Sequence, residues 1–158
     1  MATDKNVIGL AMQLDVADLK AGIKEVNKII KTSKDEFNNA TAGLDKWSKS
    51  SEGLTAKLTQ LNKQYEAQQK VVKGYEAEIK RVSELEGDHT EQLKDLQSKL
   101  LQAQTQVKKT EKEISRYGDS LAQVTKEEKE SQSVLSQLTK TISEQESELS
   151  DLQKEYKD

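Results

Sequence analysis

The single histidine of the chain, His89, sits in the stretch LEGDHTEQL, with Glu86, Asp88 and Glu91 close by. An imidazole beside carboxylates has the makings of an acid–base pair or of a divalent-metal site. A zinc centre, however, needs three or four protein ligands in closed geometry, commonly with more than one nitrogen or sulfur donor. Here one imidazole stands among flexible carboxylates, and the chain has no second histidine and no cysteine. No Gly-rich phosphate loop, nucleophile elbow or Ser-His-Asp set accompanies it. The residues therefore predict no catalytic residue, no metal site and no cofactor, and the chain reads as a non-enzyme. Glu86, Gly87, Asp88 and His89 read instead as a hinge or turn, with Asp88 and Glu91 at helix-start spacing.

What could hold such a turn must come from the rest of the sequence. Of its 158 residues 34% are charged, 33% hydrophobic and 4% aromatic, with no proline, so a large globular core is excluded. The 25 basic and 28 acidic residues are interspersed, which leaves no basic track for a nucleic acid. No apolar run approaches the roughly 18 residues of a membrane span. The opening MATDKNVIGLAMQLD lacks the layout of a signal peptide. The chain is expected to be soluble.

Residues 7–14 (VIGLAMQL) alternate in part, which predicts a short extended segment over 6–14 within an N-terminal unit 1–15. Asp15 then reads as a helix N-cap. From Val16 to Tyr156 the apolar residues recur every seven residues at two positions. The first positions are apolar or Tyr in 18 of 21 cases and the fourth in 14 of 20. Between these positions apolar side chains are rare, so the low hydrophobicity reflects a narrow stripe and not disorder. The strongest members of this self-association seam are Ile23, Ile30, Phe37, Leu44, Trp47, Leu54, Leu58, Leu61, Val72, Ile79, Val82, Leu93, Leu96, Leu100, Val107, Ile114, Leu121, Leu135, Leu138, Ile142, Leu149 and Leu152. Trp47, Tyr65, Tyr75, Tyr117 and Tyr156 share the stripe, so they read as packing residues before base-stacking ones.

The fold class is all-α: an elongated long-helix coiled coil, either a continuous rod or antiparallel helical hairpins turning near 86–90. An amphipathic helix is expected over 16–50, a second helix over 51–86, a hinge over 87–90, and a third helix over 91–158 with weak points near 118 and 125–131. The register never slips, and independent helices joined by arbitrary loops keep phase only about one time in seven, which favours the rod. Gly87 and the cap signal at Asp88 favour the hairpin. Labels at Gln60 and Arg116, both expected on the solvent side, would lie about 84 Å apart in a rod. In a hairpin they would lie about 10 to 20 Å apart. Positions flanking the seam form no opposite-charge pairs in a parallel register, so charge leaves helix orientation open. Gln68, Thr110, Ser131 and Gln145, polar residues on the seam, read as devices that fix register.

The opening NVIGLAMQLDVADLKAGIKEVNKIIK, together with LTQLNKQYEAQQKVVKGYEAEIKRVSELEGDHTEQLKDLQSKLLQAQTQVKKTEKEI, resembles the N-terminal region of tail tape measure proteins of long-tailed bacteriophages and prophages. The resemblance covers roughly residues 6–117 and implies a structural role. Such a protein sets tail-tube length, scaffolds tail assembly through helical self-association, and has tail tube proteins and tail assembly chaperones as partners. It would lie in the host cytoplasm during assembly and in the lumen of the virion tail afterwards. The long apolar segments and cell-wall hydrolase domains often found downstream in that family are not in this sequence, which is therefore expected to be an N-terminal fragment. Beside it stands a generic coiled-coil scaffold or spacer of cytoskeletal or chromosome-organising type, and a regulator that binds partner helices through the same seam.

Overall fold

The computed structural model describes the backbone of residues 3–155 and the side chains of residues 18–154. Val16 and Tyr156, the ends of the expected seam, lie outside the described side chains. Three α-helices make up the architecture: α1 (Thr3–Thr41), α2 (Ser51–Ser83) and α3 (Thr90–Glu155), with a 3₁₀ turn at Trp47–Lys49 between the first two. No strand occurs among the described residues. The class is all-α, as the seven-residue pattern requires.

Two expectations are corrected at the N-terminal side. Residues 6–14 are not extended, because their backbone belongs to α1, and Asp15 lies inside that helix and does not cap it. Alanine, leucine, methionine and glutamine are strong helix formers, and their intrinsic preference prevails over an alternation only a few residues long. The helix expected over 16–50 ends at Thr41. There the Thr41 hydroxyl donates to the Phe37 carbonyl at 2.9 Å, and the Leu44 amide closes a turn on the Thr41 carbonyl at 3.0 Å. Ser50 then starts α2 as its N-cap, its hydroxyl accepting from the Gly53 amide at 3.0 Å.

α1 and α3 both pack on α2. Each runs antiparallel to it. Along α1, Glu36 pairs with Lys63 while Leu19 lies against Gly74. Along α3, Thr110 bonds to Gln68 while Tyr117 lies near Lys57. The continuous rod is thereby corrected: the seam is folded back on itself at 42–50 and again at 84–89. Phase survives the first break because Leu44 and Trp47, which lie in the connection, still pack inwards and are half-buried.

The second break falls where the hinge was expected. α2 ends at Ser83, and the Glu84 and Leu85 amides bond back to the Lys80 and Val82 carbonyls at 3.2 Å each. Gly87 then takes φ +107°, a conformation costly for any side-chain-bearing residue. The third helix starts at Thr90, one residue before the expected 91, and its cap position falls on His89, one residue after Asp88. The His89 carbonyl accepts the first helical bond, from Leu93 at 2.9 Å, while the Asp88 carboxylate accepts from the Thr90 amide at 3.0 Å and hydroxyl at 2.7 Å. Gly118 and residues 125–131, expected as weak points, are helical throughout. One glycine costs about 1 kcal/mol in a helix interior, too little to break a helix so rich in Gln, Glu, Lys and Leu.

Candidate self-association surface

The seam divides into a spent part and a free part. From Ile23 to Leu121 every seam residue named above is buried or half-buried, with Leu54, Leu61 and Val82 fully so. Most of α2 is enclosed because it faces two helices. Its first and fourth heptad positions meet α3, and a second stripe, Gly53, Gln60, Ala67 and Gly74, turns towards α1 and the connection before α2. A Cβ on Gly53 would come 2.3 Å from the Trp47 carbonyl oxygen, and one on Gly74 would come 2.9 Å from Leu19 Cδ1. The small residues thus set how closely the neighbouring segments approach. Gln60, expected on the solvent side, is only 3% exposed. It accepts from Lys57 at 2.8 Å and donates to Gln64 at 3.0 Å.

This second stripe escaped the sequence reading because Gly, Gln, Ala and Gly carry little apolar weight. The signal that could have revealed it is the recurrence of small residues at one heptad position through a single helix.

Polar seam residues find one another inside the bundle. Thr110, 3% exposed, donates to Gln68 Oε1 at 2.7 Å and accepts from Gln64 Nε2 at 3.4 Å. No buried side-chain nitrogen or oxygen lacks a partner among the described residues. The pairing matters because an unsatisfied buried amide costs about 1–3 kcal/mol. Beside this layer Tyr65 donates to Glu111 at 2.9 Å and accepts from Gln69 at 2.7 Å, and the bond to Glu111 holds the phenol pKa above its ordinary value.

At the end of the bundle formed by the first connection, Phe37 meets Trp47 edge-to-face at 5.1 Å, and Trp47 meets Tyr117 at 5.8 Å. Lys57 places its ammonium 4.9 Å from the Phe37 ring centre and 5.9 Å from that of Tyr117. Partial burial lowers the Lys57 pKa, and Glu113 opposes that shift. These aromatic groups are packing residues, as their seam positions predict.

His89 Nε2 lies 3.0 Å from the Glu86 carbonyl oxygen, and Asp88 is engaged by Thr90, whose two hydrogen bonds lower the Asp88 pKa. Among the described residues no group of three or more His, Cys, Asp or Glu side chains is placed to hold a metal ion. No helix among them is long and apolar enough to cross a membrane. Between α1 and α2 runs an open groove lined by Leu19, Ile23, Val26, Ile29 and Val71 and floored by Gly74.

The free part of the seam begins where α3 runs past the start of α2. α3 has 66 residues, on the order of 99 Å, against 33 residues and about 50 Å in α2. From Lys126 onwards every described side chain is exposed. Leu135, Leu138, Ile142, Leu149 and Leu152 keep the seam phase there, at 47–60% exposure, with Val134 beside them at 62%. Isolated helices are marginal in water even when well formed, so a bare stripe of this kind invites a covering surface. No family model, curated protein or solved structure matches the chain.

Proposed function

We propose that the chain is a structural segment of tape-measure type, which scaffolds a phage tail and contributes to its length through a self-associating helix. One observation carries this reading: α3 continues as unbroken helix far beyond α2, the helix that covers its first half, with its apolar stripe open. A helix converts residue number into length at a fixed rise of about 1.5 Å, and the absence of proline from the sequence protects that proportionality. A bare helix of this length suits a ruler or spacer. Tail tube proteins and tail assembly chaperones are the partners this reading names. The host cytoplasm during assembly and the tail lumen afterwards are its locations.

Folding back alters how length is read. Only α3 contributes its full extent, because α2 lies back along its first half and α1 packs on α2. Deleting residues 127–154, four whole heptads, from the genome that encodes the chain is therefore expected to shorten tails by about 42 Å, by helical rise. Electron micrographs of the particles give the length directly, and unchanged tails would refute the ruler. A generic scaffold or spacer draws on the same projecting helix. It is separated by deletion of residues 1–15, which disturbs assembly with tail proteins in a tape measure and leaves a generic spacer intact.

A further inference from the structure

We infer that the turn at 84–89 is a swap hinge: two copies of the chain exchange α3, with α2, the turn and α3 of each copy joined into one continuous helix. The inference goes beyond the proposed function and needs only the α2–α3 hairpin. Its first support is phase. A hairpin sets no condition on phase, since turns of many lengths bring two apolar stripes face to face. A continuous helix does set one, and an arbitrary linker meets it about one time in seven. From Val82 the seam positions run through Glu86 and His89 to Leu93 without a slip, although the backbone between α2 and α3 is not helical.

The second support is what the exchange brings together. Thr110 bonds to Gln68 at 2.7 Å and to Gln64 at 3.4 Å, so it stands level with Tyr65 between them. Counting by heptads from that level towards the turn sets Ile79 opposite Leu96, and then Glu86 opposite His89. Within one chain this last pair is spent in the turn, where His89 Nε2 lies 3.0 Å from the Glu86 carbonyl oxygen. Two copies running antiparallel through this point place each Glu86 carboxylate opposite the His89 imidazole of the other copy, an acceptor facing a donor in both central layers. The α2–α3 contacts of the bundle, Thr110 to Gln68 and Tyr65 to Glu111 among them, form again between copies.

The connection itself permits the change. Glu84, Glu86, Gly87 and Asp88 are exposed, so straightening it pulls none of these side chains out of the bundle. Gly87 exchanges φ +107° for helical angles, and a glycine alone does not stop a helix in this chain: Gly22, Gly74 and Gly118 lie inside α1, α2 and α3. The first connection offers no such hinge, because Trp47 packs on Phe37 and Tyr117 and backs against Gly53. The dimer gives up the Asp88 bonds to Thr90 and the freedom of a separate copy. It therefore forms at high concentration, and the single-chain bundle at low.

The full-length chain has no cysteine, so single labels can be placed on it selectively. Chains spin-labelled at Asn62→Cys and chains spin-labelled at Lys112→Cys are mixed in urea and refolded together at high concentration, and the dimer is separated by gel filtration. A distance of about 10 to 20 Å between the two copies is expected, from helices packed at 8–10 Å plus label arms. Gly87→Ala strains the turn and favours the helix, and is expected to lower the concentration of half-dimerisation at least about tenfold. Two glycines inserted after Gly87 break the phase and ease the turn. They are expected to keep the chain monomeric with the bundle's thermal transition retained. An unsubstituted chain that stays monomeric at every refolding concentration would overturn the inference. So would a dimer without the short distance between copies, the mark of pairing through another surface. So, finally, would a dimer that Gly87→Ala or the glycine insertion leaves unchanged. Failure here leaves the tail-length experiment to decide the ruler on its own, and unchanged tails would leave the exchange intact.

Discussion

Individual residues decide whether the helices can approach and whether their buried polar atoms are satisfied. Gly53→Ala is the sharper case. A helical glycine replaced by alanine ordinarily gains about 1 kcal/mol, but here the added methyl would collide with the Trp47 backbone. A net loss of about 1–3 kcal/mol in urea unfolding is expected, as for other overpacked sites. Thr110→Val keeps the shape and removes the hydroxyl shared by Gln64 and Gln68. It should cost about 1–3 kcal/mol, while Thr105→Val on the exposed face should stay within about 0.5 kcal/mol. Asp88 gives the pH dependence. Its pKa is lowered in the folded chain by Thr90, so its contribution is present above the ordinary carboxylate pKa and is lost as pH falls through the depressed value. Below about pH 4 the start of α3 is expected to fray, seen as faster amide exchange corrected for pH at Thr90 and Glu91. The turn at Gly87 and Asp88 was legible because its chemistry is local. The stripe of Gly53, Gln60, Ala67 and Gly74 was not, because its glycines and alanine announce a close approach only once the neighbouring segment is in view, and Gln60 reads as a solvent-side residue.

Elements divide the labour unequally. α2 is held from two sides, whereas α3 is covered over its first half and bare over its second. Leu61→Ala should therefore cost about 2–5 kcal/mol of bundle stability, the range for a buried leucine truncated to leave a cavity. Leu138→Ala, chemically the same change, should cost less than about 0.5 kcal/mol in dilute solution, where its side chain touches no other element. Thermal melts of the two variants side by side check this contrast. The seven-residue pattern marks both leucines alike, since periodicity says which face seeks cover and nothing about which stretch finds it. The start of a helix at 51 was expected, but the early end of α1 at Thr41 was hidden for a related reason. Leu44 and Trp47 fall on seam positions by number, and both pack inwards from a connection that is not α-helical. The N-terminal alternation at 6–14 misled in the opposite direction, a short period-two pattern outweighed by helix propensity.

At the scale of the molecule, a chain with too little apolar mass for a globular core uses it twice. Two connections fold the seam against itself, burying Val26, Leu54, Leu61, Val82 and Leu96, and a remaining helix carries the same stripe outwards. All-α class and seam membership could be read from composition and period alone. Whether the three expected helices form a rod or fold back could not, because an unbroken register is equally compatible with a rod and with turns whose lengths happen to preserve phase. The folded-back bundle is the premise on which both the free seam and the tail-length reading stand. Spin labels at Asn62 and Lys112, exposed positions on α2 and α3 that lie at nearly the same level of the antiparallel pair, test it most directly in dilute solution. A separation of about 10 to 20 Å is expected, from helices packed at 8–10 Å plus label arms. A separation near 75 Å, the helical rise over the intervening residues, would contradict it.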